Sequence, residues 1–180
     1  MSYKRALKPI VKLSFIVIIV YTAVYGSILG LRIVLAVESP IMVVEGISMN
    51  PKLYDGDILI VQGVANKSQI DVGNIIIFHE WGNWDKLIVH TVVARYIKNG
   101  QLYFQTQGEN RQTNPIPDHE IPETNVVGVL LSRIPVPIVG SIILFTQTLI
   151  GRLVLIISTA FVVIDMFYSK DDKSFIKEKS

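Results

Sequence analysis

The sequence predicts a mainly β domain flanked by N- and C-terminal transmembrane helices, and three observations support this prediction. Two apolar runs lie near the ends of the 180-residue chain, from Ser14 to Val37 with one interruption at Arg32, and from Leu153 to Tyr168. Between them, short β-branched runs alternate with turn residues, which is typical of a compact β domain. Basic residues flank the outer end of each apolar run.

The N-terminal apolar run is long enough to cross a membrane. Ser14 to Leu31 carries no charge, and about 20 helical residues span roughly 30 Å of hydrocarbon. A cleavable signal peptide is the alternative, but this apolar stretch is longer than an ordinary h-region and no clean small-x-small pair follows it. We therefore predict a retained anchor, with a basic cytoplasmic tail and a transmembrane helix within residues 1–37.

Residues 38–134 are predicted to form the β-rich domain. Asn99-Gly100 is the best hairpin signal, because both residues tolerate the positive φ of a type I′ turn. Residues 111–122 contain three prolines and little apolar surface, so we predict a surface loop there. The predicted strands are Ile41–Val44, Ile58–Gln62, Ile75–Phe78, Leu87–Tyr96, Leu102–Gln107 and Val126–Leu131.

The C-terminal third is apolar but interrupted. Pro135, Pro137 and Gly140 argue against one long span, so residues 135–151 are predicted to lie against the membrane surface. Residues 152–168 are predicted to form a second transmembrane helix. Its apolar run is slightly short and requires Arg152 to snorkel and Asp165 to lie near the far interface. Residues 169–180 form a charged tail.

Charge predicts the orientation of the chain. Lys and Arg concentrate on the cytoplasmic side of membrane proteins, and bases precede the first apolar run and follow the second, so both termini are predicted to be cytoplasmic. Residues 38–151 hold eleven acids against seven bases, a formal charge of −4. They lack the basic stripe that nucleic acid requires. The chain has no cysteine, which excludes disulfides and cysteine nucleophiles.

Ser48 lies where a predicted strand breaks off, in Gly46-Ile47-Ser48-Met49-Asn50-Pro51. A serine in a turn commonly serves backbone hydrogen bonding, and it becomes a good nucleophile only when a base takes its proton. His90, inside a predicted strand, is the candidate base, because the ordinary histidine pKa of roughly 6.5 suits proton transfer near neutrality. A half-buried structural histidine is the alternative for this residue. His79 and His119 are its competitors.

Two carboxylates could orient the imidazole of His90, as in a serine triad. They are Glu109 and Asp118, and ordinary turn chemistry explains both equally well. Lys86 is an alternative base, but a lysine must be desolvated to act near neutrality, and its position beside Asp85 predicts a solvated charge. One strand histidine and dispersed acids lack metal-ligand spacing, so no metal or cofactor is predicted.

A set of short motifs, in order along residues 39–140, resembles the type I signal peptidases of the archaeal and endoplasmic-reticulum branch. In that branch histidine stands where the bacterial enzymes use lysine. The motifs are Gly46–Pro51, Tyr54–Leu59, Val72–Phe78, Ile88–Val93, Gly108–Asn110, Asn114–Asp118 and Val126–Gly128.

The resemblance implies a signal-peptidase-like β fold and a membrane-bound serine endopeptidase that removes signal peptides from preproteins on the extracytoplasmic face. It implies that Ser48 is the nucleophile and His90 the general base, that Asp118 is the required aspartate, and that Glu109 is a supporting carboxylate. Which carboxylate orients the imidazole stays open. The partners it implies are preproteins, membrane lipid and the protein translocation channel.

The strand before Ser48 is the expected substrate site. Extended peptides bind by adding themselves to the edge of a sheet, and the resemblance implies a preference for small side chains near the cut. The expected substrate-binding residues are Ile41, Met42, Val43 and Val44.

Three departures from the family pattern leave other functions open. Gly46 replaces the upstream hydroxyl residue, Glu109 replaces an aspartate, and Thr91 replaces an arginine. One alternative is a catalytically silent membrane protein that keeps the fold and binds signal sequences or a partner. Another is a self-cleaving or regulatory serine protease.

Overall fold

The computed structural model describes residues 3–161 and, in the first helix, the side chains of residues 15, 18, 19 and 21 onward. The helices are α1 Tyr3–Leu35, α2 Pro137–Gln147 and α3 Leu149–Phe161. Two 3₁₀ turns cover Lys67–Gln69 and Glu123–Asn125. The strands are β1 Ile41–Val43, β2 Ile58–Gln62, β3 Ile75–Glu80, β4 Asn83–Lys98, β5 Gln101–Gln107, β6 Ile121–Pro122 and β7 Val126–Ile134.

The strands form one antiparallel sheet, so the predicted mainly β domain is confirmed. Its order is β1-β2-β7-β3-β4-β5-β6, which places β1 at one end and β6 at the other. The long β4–β5 hairpin turns at Asn99 and Gly100, where φ is +52° and +79°. These are the positive values that a type I′ turn requires. The predicted hairpin is therefore present.

The two faces of the sheet carry separate apolar clusters. The first contains Met49, Leu53 and Ile77, together with Val37, which lies two residues after the end of α1. The second contains Ile76, Phe78 and Phe104. Successive strand residues point to opposite faces, so neighbours such as Ile76 and Ile77 serve different clusters. A change of one residue in register would therefore disrupt both.

The predicted strands differ from the observed ones mainly in length. β4 begins four residues before the predicted Leu87 and ends two residues after Tyr96. The prediction missed β6, a two-residue strand inside the expected loop 111–122, where Ile121 pairs with Phe104. Such a short strand has no period of its own to detect, and its pairing depends on a long-range contact.

Both flanking helices are attached to the β domain by close backbone contacts. The N–H of Gly63 donates to the carbonyl of Leu35 at 2.8 Å, at the end of α1. Gly140 in α2 packs on the backbone of Gly56 so closely that a Cβ would not fit. The turn at Gly56 belongs to the segment that follows Ser48, so α2 lies beside that segment.

Within residues 3–161, no single helix is both long enough and apolar enough to qualify as a membrane span. Tyr21–Leu35 is a shorter apolar helix, and Pro137–Gln147 qualifies only together with Leu149–Phe161, to which it is bent by 88°. The break falls at residue 148, within the segment 135–151, whose place at a membrane surface stays a prediction. The part of the predicted second span from residue 162 onward lies outside the described residues.

Candidate active site

Ser48 lies in a turn that is anchored by two buried apolar residues after it. Met49 and Leu53 are 1% and 2% exposed and pack into the first apolar cluster. Gly46 adopts φ +98°, which favours glycine, and its N–H donates to Asp55 Oδ1 at 2.7 Å. Ser48 itself is half-buried. The turn therefore holds the serine at the surface on an anchored backbone.

The loop that follows β5 fixes the backbone of this turn. The N–H of Asn110 donates to the carbonyl of Ser48 at 2.9 Å, and Asn110 Nδ2 donates to the carbonyl of Ile47 at 3.1 Å. Asn114 Nδ2 lies 3.4 Å from the same Ser48 oxygen. A Cβ on Gly108 would lie 2.6 Å from that oxygen. Glycine is therefore required there for the two segments to meet.

His90 is buried in β4 and bonded to Asp118. His90 is 4% exposed and pairs with Ile76 of β3. Its ring lies edge-on to the ring of Phe78, with 6.4 Å between the ring centroids. His90 Nδ1 lies 2.6 Å from Asp118 Oδ2. Thr106 Oγ1 donates to the same carboxylate oxygen at 2.6 Å.

Asp118 is held in its ionised form. Burial raises its pKa, but the hydrogen bonds from His90 and Thr106 outweigh burial, and the pKa lies below the ordinary value. An ionised carboxylate accepts only, so Nδ1 of His90 must carry the hydrogen. In the neutral imidazole the lone pair is then on Nε2, where a general base needs it.

Glu109 does not contact His90. Its Oε1 accepts from Thr91 Oγ1 at 2.6 Å and from Lys52 Nζ at 2.9 Å. These two hydrogen bonds lower the pKa of Glu109 against the smaller opposing effect of burial. Thr91 follows His90 in β4, and Lys52 lies four residues after Ser48. Glu109 therefore links the two segments that carry the candidate base and the candidate nucleophile.

The end of β5 lies beside both the segment that carries Ser48 and the segment that carries His90. Gln107 is paired with Thr91, the next residue after His90, and Gly108 contacts the Ser48 carbonyl. The His90 ring faces the second apolar cluster, whereas Met49 packs in the first. The two segments are therefore linked around the end of β5 and not through one apolar cluster.

No hydrogen bond joins Ser48 to His90 among the described residues, and Ser48 Oγ and His90 Nε2 have no other partner there. Within residues 3–161 the one fully buried side-chain nitrogen or oxygen without a hydrogen bond is Asn50 Oδ1. Both reactive atoms therefore keep access to solvent. Catalytic hydrogen bonds are often long without substrate and shorten in the complex.

The other candidate bases have different surroundings. Lys86 pairs with Glu80 at 2.9 Å and its side chain is 57% exposed, as expected for a solvated charge. His79 Nδ1 lies 2.5 Å from the carbonyl of Trp84. His119 is exposed beside Asp118. Of the described histidines, His90 is the one whose ring is hydrogen-bonded to a carboxylate.

The expected substrate strand offers two of its four residues to a peptide. Val44 is 4% exposed, and its N–H and carbonyl bond to Asp57 and Gly56 at 2.8 and 2.9 Å. Because hydrogen-bonded and non-bonded pairs alternate in antiparallel strands, Met42 also faces β2. The backbone groups of Ile41 and Val43 point to the free edge instead.

Sequence reasoning did not identify Thr106 or Lys52 as parts of this site. Thr106 gave a weak signal in the sequence, because it lies on the same face of β5 as Leu102 and Phe104, where a polar residue is unexpected. In the structure its side chain is fully buried. A buried polar group needs a partner. Lys52 gave no signal in the sequence, since it pairs with Glu109, which is 57 positions further along the chain.

Glu109→Gln is expected to lower the free energy of unfolding at neutral pH by about 0.5–1 kcal/mol, because the neutral amide loses the ionic contact with Lys52. Its effect on stability should disappear in acid. A carboxylate with a lowered pKa stabilises the fold above its unfolded pKa, and this contribution is lost as the pH falls through the folded pKa. Urea unfolding at two pH values measures both effects.

Asp71→Asn is the matched control, because it removes an ion pair with Arg95, and in the described part of the chain neither side chain is hydrogen-bonded to the Ser48 turn. We expect Glu109→Gln also to lower kcat severalfold, and Asp71→Asn to leave it unchanged. Equal kcat values for the two variants would contradict a link between the two segments.

Comparison with known proteins gives a result for part of the chain. A family model described as Peptidase S24-like matches residues 32–131. These residues run from the end of α1 into β7 and include Ser48, His90, Glu109 and Asp118. A search of curated proteins found no significant match.

Proposed function

The chain belongs to the Peptidase S24-like family, which is related to serine peptidases including signal peptidase I, and from this premise we propose that it removes signal peptides from exported preproteins. Ser48 is the nucleophile, His90 the general base and Asp118 the residue that orients the imidazole. The observation that carries this proposal is the 2.6 Å contact between His90 Nδ1 and Asp118 Oδ2. It leaves Nε2 free to accept a proton, which the proposal assigns to Ser48.

The proposed reaction follows from these groups. Ser48 Oγ attacks the scissile carbonyl while His90 Nε2 takes its proton, and Asp118 stabilises the imidazolium that forms. The imidazolium then protonates the leaving amine, and water hydrolyses the Ser48 ester by the same steps in reverse. The backbone N–H of Ser48 has no acceptor within the described residues, so it is available to the oxyanion.

Substrate recognition is proposed to use the free edge of β1. An extended peptide would pair with the backbone of Ile41 and Val43 as an added strand. The strand leads directly to Ser48, so the scissile carbonyl would reach the nucleophile at the end of the paired segment. Small side chains near the cut would let the peptide approach this edge closely.

We further propose that the peptidase acts at a membrane. α1 contains 33 residues, about 50 Å of helix, and apolar side chains such as Ile18, Tyr21 and Val24 are more than half exposed. Exposed apolar patches mark surfaces that contact lipid or protein. The basic residues Lys4, Arg5, Lys8 and Lys12 near the start of α1 support a cytoplasmic N-terminus. Preproteins emerging from a translocation channel would meet the domain on the opposite side.

The test is cleavage of a preprotein by the purified full chain in lipid vesicles. We expect one cut after a small-x-small site, identified by mass spectrometry of both products. Absence of cleavage throughout roughly pH 6 to 9, where a histidine base operates, would contradict the proposal. A Ser48-dependent cut within the chain itself would favour a self-cleaving protease instead.

A signal-sequence binding protein without activity is the second candidate. The absence of a Ser48–His90 hydrogen bond among the described residues and the replacement of an aspartate by Glu109 favour it. In this case, the vesicle-bound chain would retain labelled signal peptide without turning it over. Any Ser48-dependent turnover would exclude this candidate.

A further inference from the structure

A groove of about 340 Å³ lies beside the His90–Asp118 pair. Phe78 and Ile88 line it from the sheet, and the loop from Thr113 to Ile121 lines it from the other side. Trp81 and Ile116 also line it and are 72% and 74% exposed. Two large apolar side chains therefore stand open to solvent at a groove of a size suited to a few peptide residues.

The groove is lined by residues that contact both halves of the proposed catalytic site. Asp118, which holds His90, lines it directly. Asn114, whose Nδ2 lies 3.4 Å from the Ser48 carbonyl, also lines it. β1 contributes no residue to it. The groove is thus connected to the Ser48 turn through Asn114 and to His90 through Asp118, and it is separate from β1.

The chemistry assigns different sides of the substrate to these two surfaces. The acyl side of the scissile bond pairs with β1 and ends at Ser48 Oγ. The leaving amine must receive its proton from His90, so the chain beyond the cut must pass on the histidine side. Asp118, whose carboxylate is bonded to His90 Nδ1, is the residue through which the groove adjoins the histidine.

We propose that this groove binds the substrate residues that follow the scissile bond, and that Trp81 and Ile116 give it a preference for an apolar side chain. The inference rests on the proposed function and extends it to the leaving-group side. The occupant is the newly formed N-terminal segment of the cleaved protein.

Capture of the acyl-enzyme by an added amine isolates this groove. The amine nitrogen attacks the Ser48 ester carbonyl and passes its proton to His90 Nε2. The new C–N bond forms, the bond from carbon to Ser48 Oγ breaks, and Oγ takes the proton from His90. Water competes for the same ester, so the ratio of amide to acid product depends on the amine and not on how the acyl side binds. For two amino acid amides of similar reactivity, it compares how well each amine binds.

The experiment compares leucinamide with glycinamide as acceptors during cleavage of one peptide substrate by the full chain. We expect about tenfold more capture of leucinamide, in keeping with what an apolar pocket discriminates. Ile116→Ala and Trp81→Ala should each reduce this preference to about threefold or less. Ile97→Ala is the matched control, because Ile97 is 75% exposed but does not line the groove.

The outcomes separate the two proposals. Equal capture of both amines while Ser48-dependent hydrolysis continues would overturn the groove assignment and leave the peptidase intact. An equal loss of preference in Ile97→Ala would overturn it as well. Absence of Ser48-dependent turnover would overturn the proposed function and this inference together.

Discussion

Ser48→Ala is expected to lower kcat for preprotein cleavage by about 10³-fold or more, because the alanine variant has no oxygen to form the acyl-enzyme. Ser48 is half-buried, and its side chain makes no hydrogen bond within the described residues, so its removal should leave the fold intact. Single-turnover cleavage in vesicles measures the rate, and urea unfolding measures the stability.

Ser132→Ala is the control for this experiment. Ser132 is an exposed residue of β7 and takes no part in the proposed site, so we expect wild-type activity. Wild-type cleavage by Ser48→Ala would exclude Ser48 as the nucleophile. If Ser48→Ala unfolds at a much lower urea concentration than the wild type, its loss of activity could come from lost stability. Ser48→Cys, which keeps a nucleophilic atom at this position, is then the variant to compare.

Asp118→Asn is expected to lower kcat by roughly 10²- to 10⁴-fold. The amide keeps the shape of the side chain but carries no charge to stabilise the imidazolium of His90. It can also donate to Nδ1, which would place the ring hydrogen on Nε2 and remove the lone pair that accepts the Ser48 proton. The loss should appear in kcat rather than in KM.

Glu109→Gln is the comparison for Asp118→Asn, since Glu109 bonds to Thr91 and Lys52 and not to His90. A loss in Glu109→Gln as large as that in Asp118→Asn would contradict the assignment of Asp118 as the orienting carboxylate. Asp118→Glu should recover part of the activity if charge matters more than position.

Asp118 also predicts a dependence of stability on pH. Its folded pKa lies below its ordinary value, since the hydrogen bonds from His90 and Thr106 outweigh burial. The unfolded chain therefore binds the proton first as the pH falls. The stabilisation from Asp118 is present above its unfolded pKa and is lost as the pH falls through its folded pKa. The neutral Asp118→Asn side chain should remove this acid-sensitive component.

Local pattern predicted most of the strands because each has its own signal. β2 was predicted with its observed ends, and Asn99-Gly100 marked the β4–β5 hairpin. Strand ends were less accurate, since pairing partners decide how far β4 extends. β6 was not predicted, because this two-residue strand is also defined by its pairing partner, β5.

The candidate site was predicted in its residues but not in its connections. The order of short motifs singled out Ser48, His90, Glu109 and Asp118, and it left the choice of orienting carboxylate open. Nothing local distinguishes Asp118 from Glu109, since both lie in polar loops after β5. The folded chain places Asp118 2.6 Å from His90 and Glu109 2.9 Å from Lys52.

The sequence by itself determined that this chain has a β domain between apolar segments and which side chains are candidates for its chemistry, because composition, period and turn residues act over a few neighbours. Tertiary structure alone decided that Asp118 holds His90, that Glu109 bridges Thr91 and Lys52, and that a groove adjoins them. These contacts join residues that are 18 to 57 positions apart. Such distances are closed by the packing of the whole sheet and leave no local pattern.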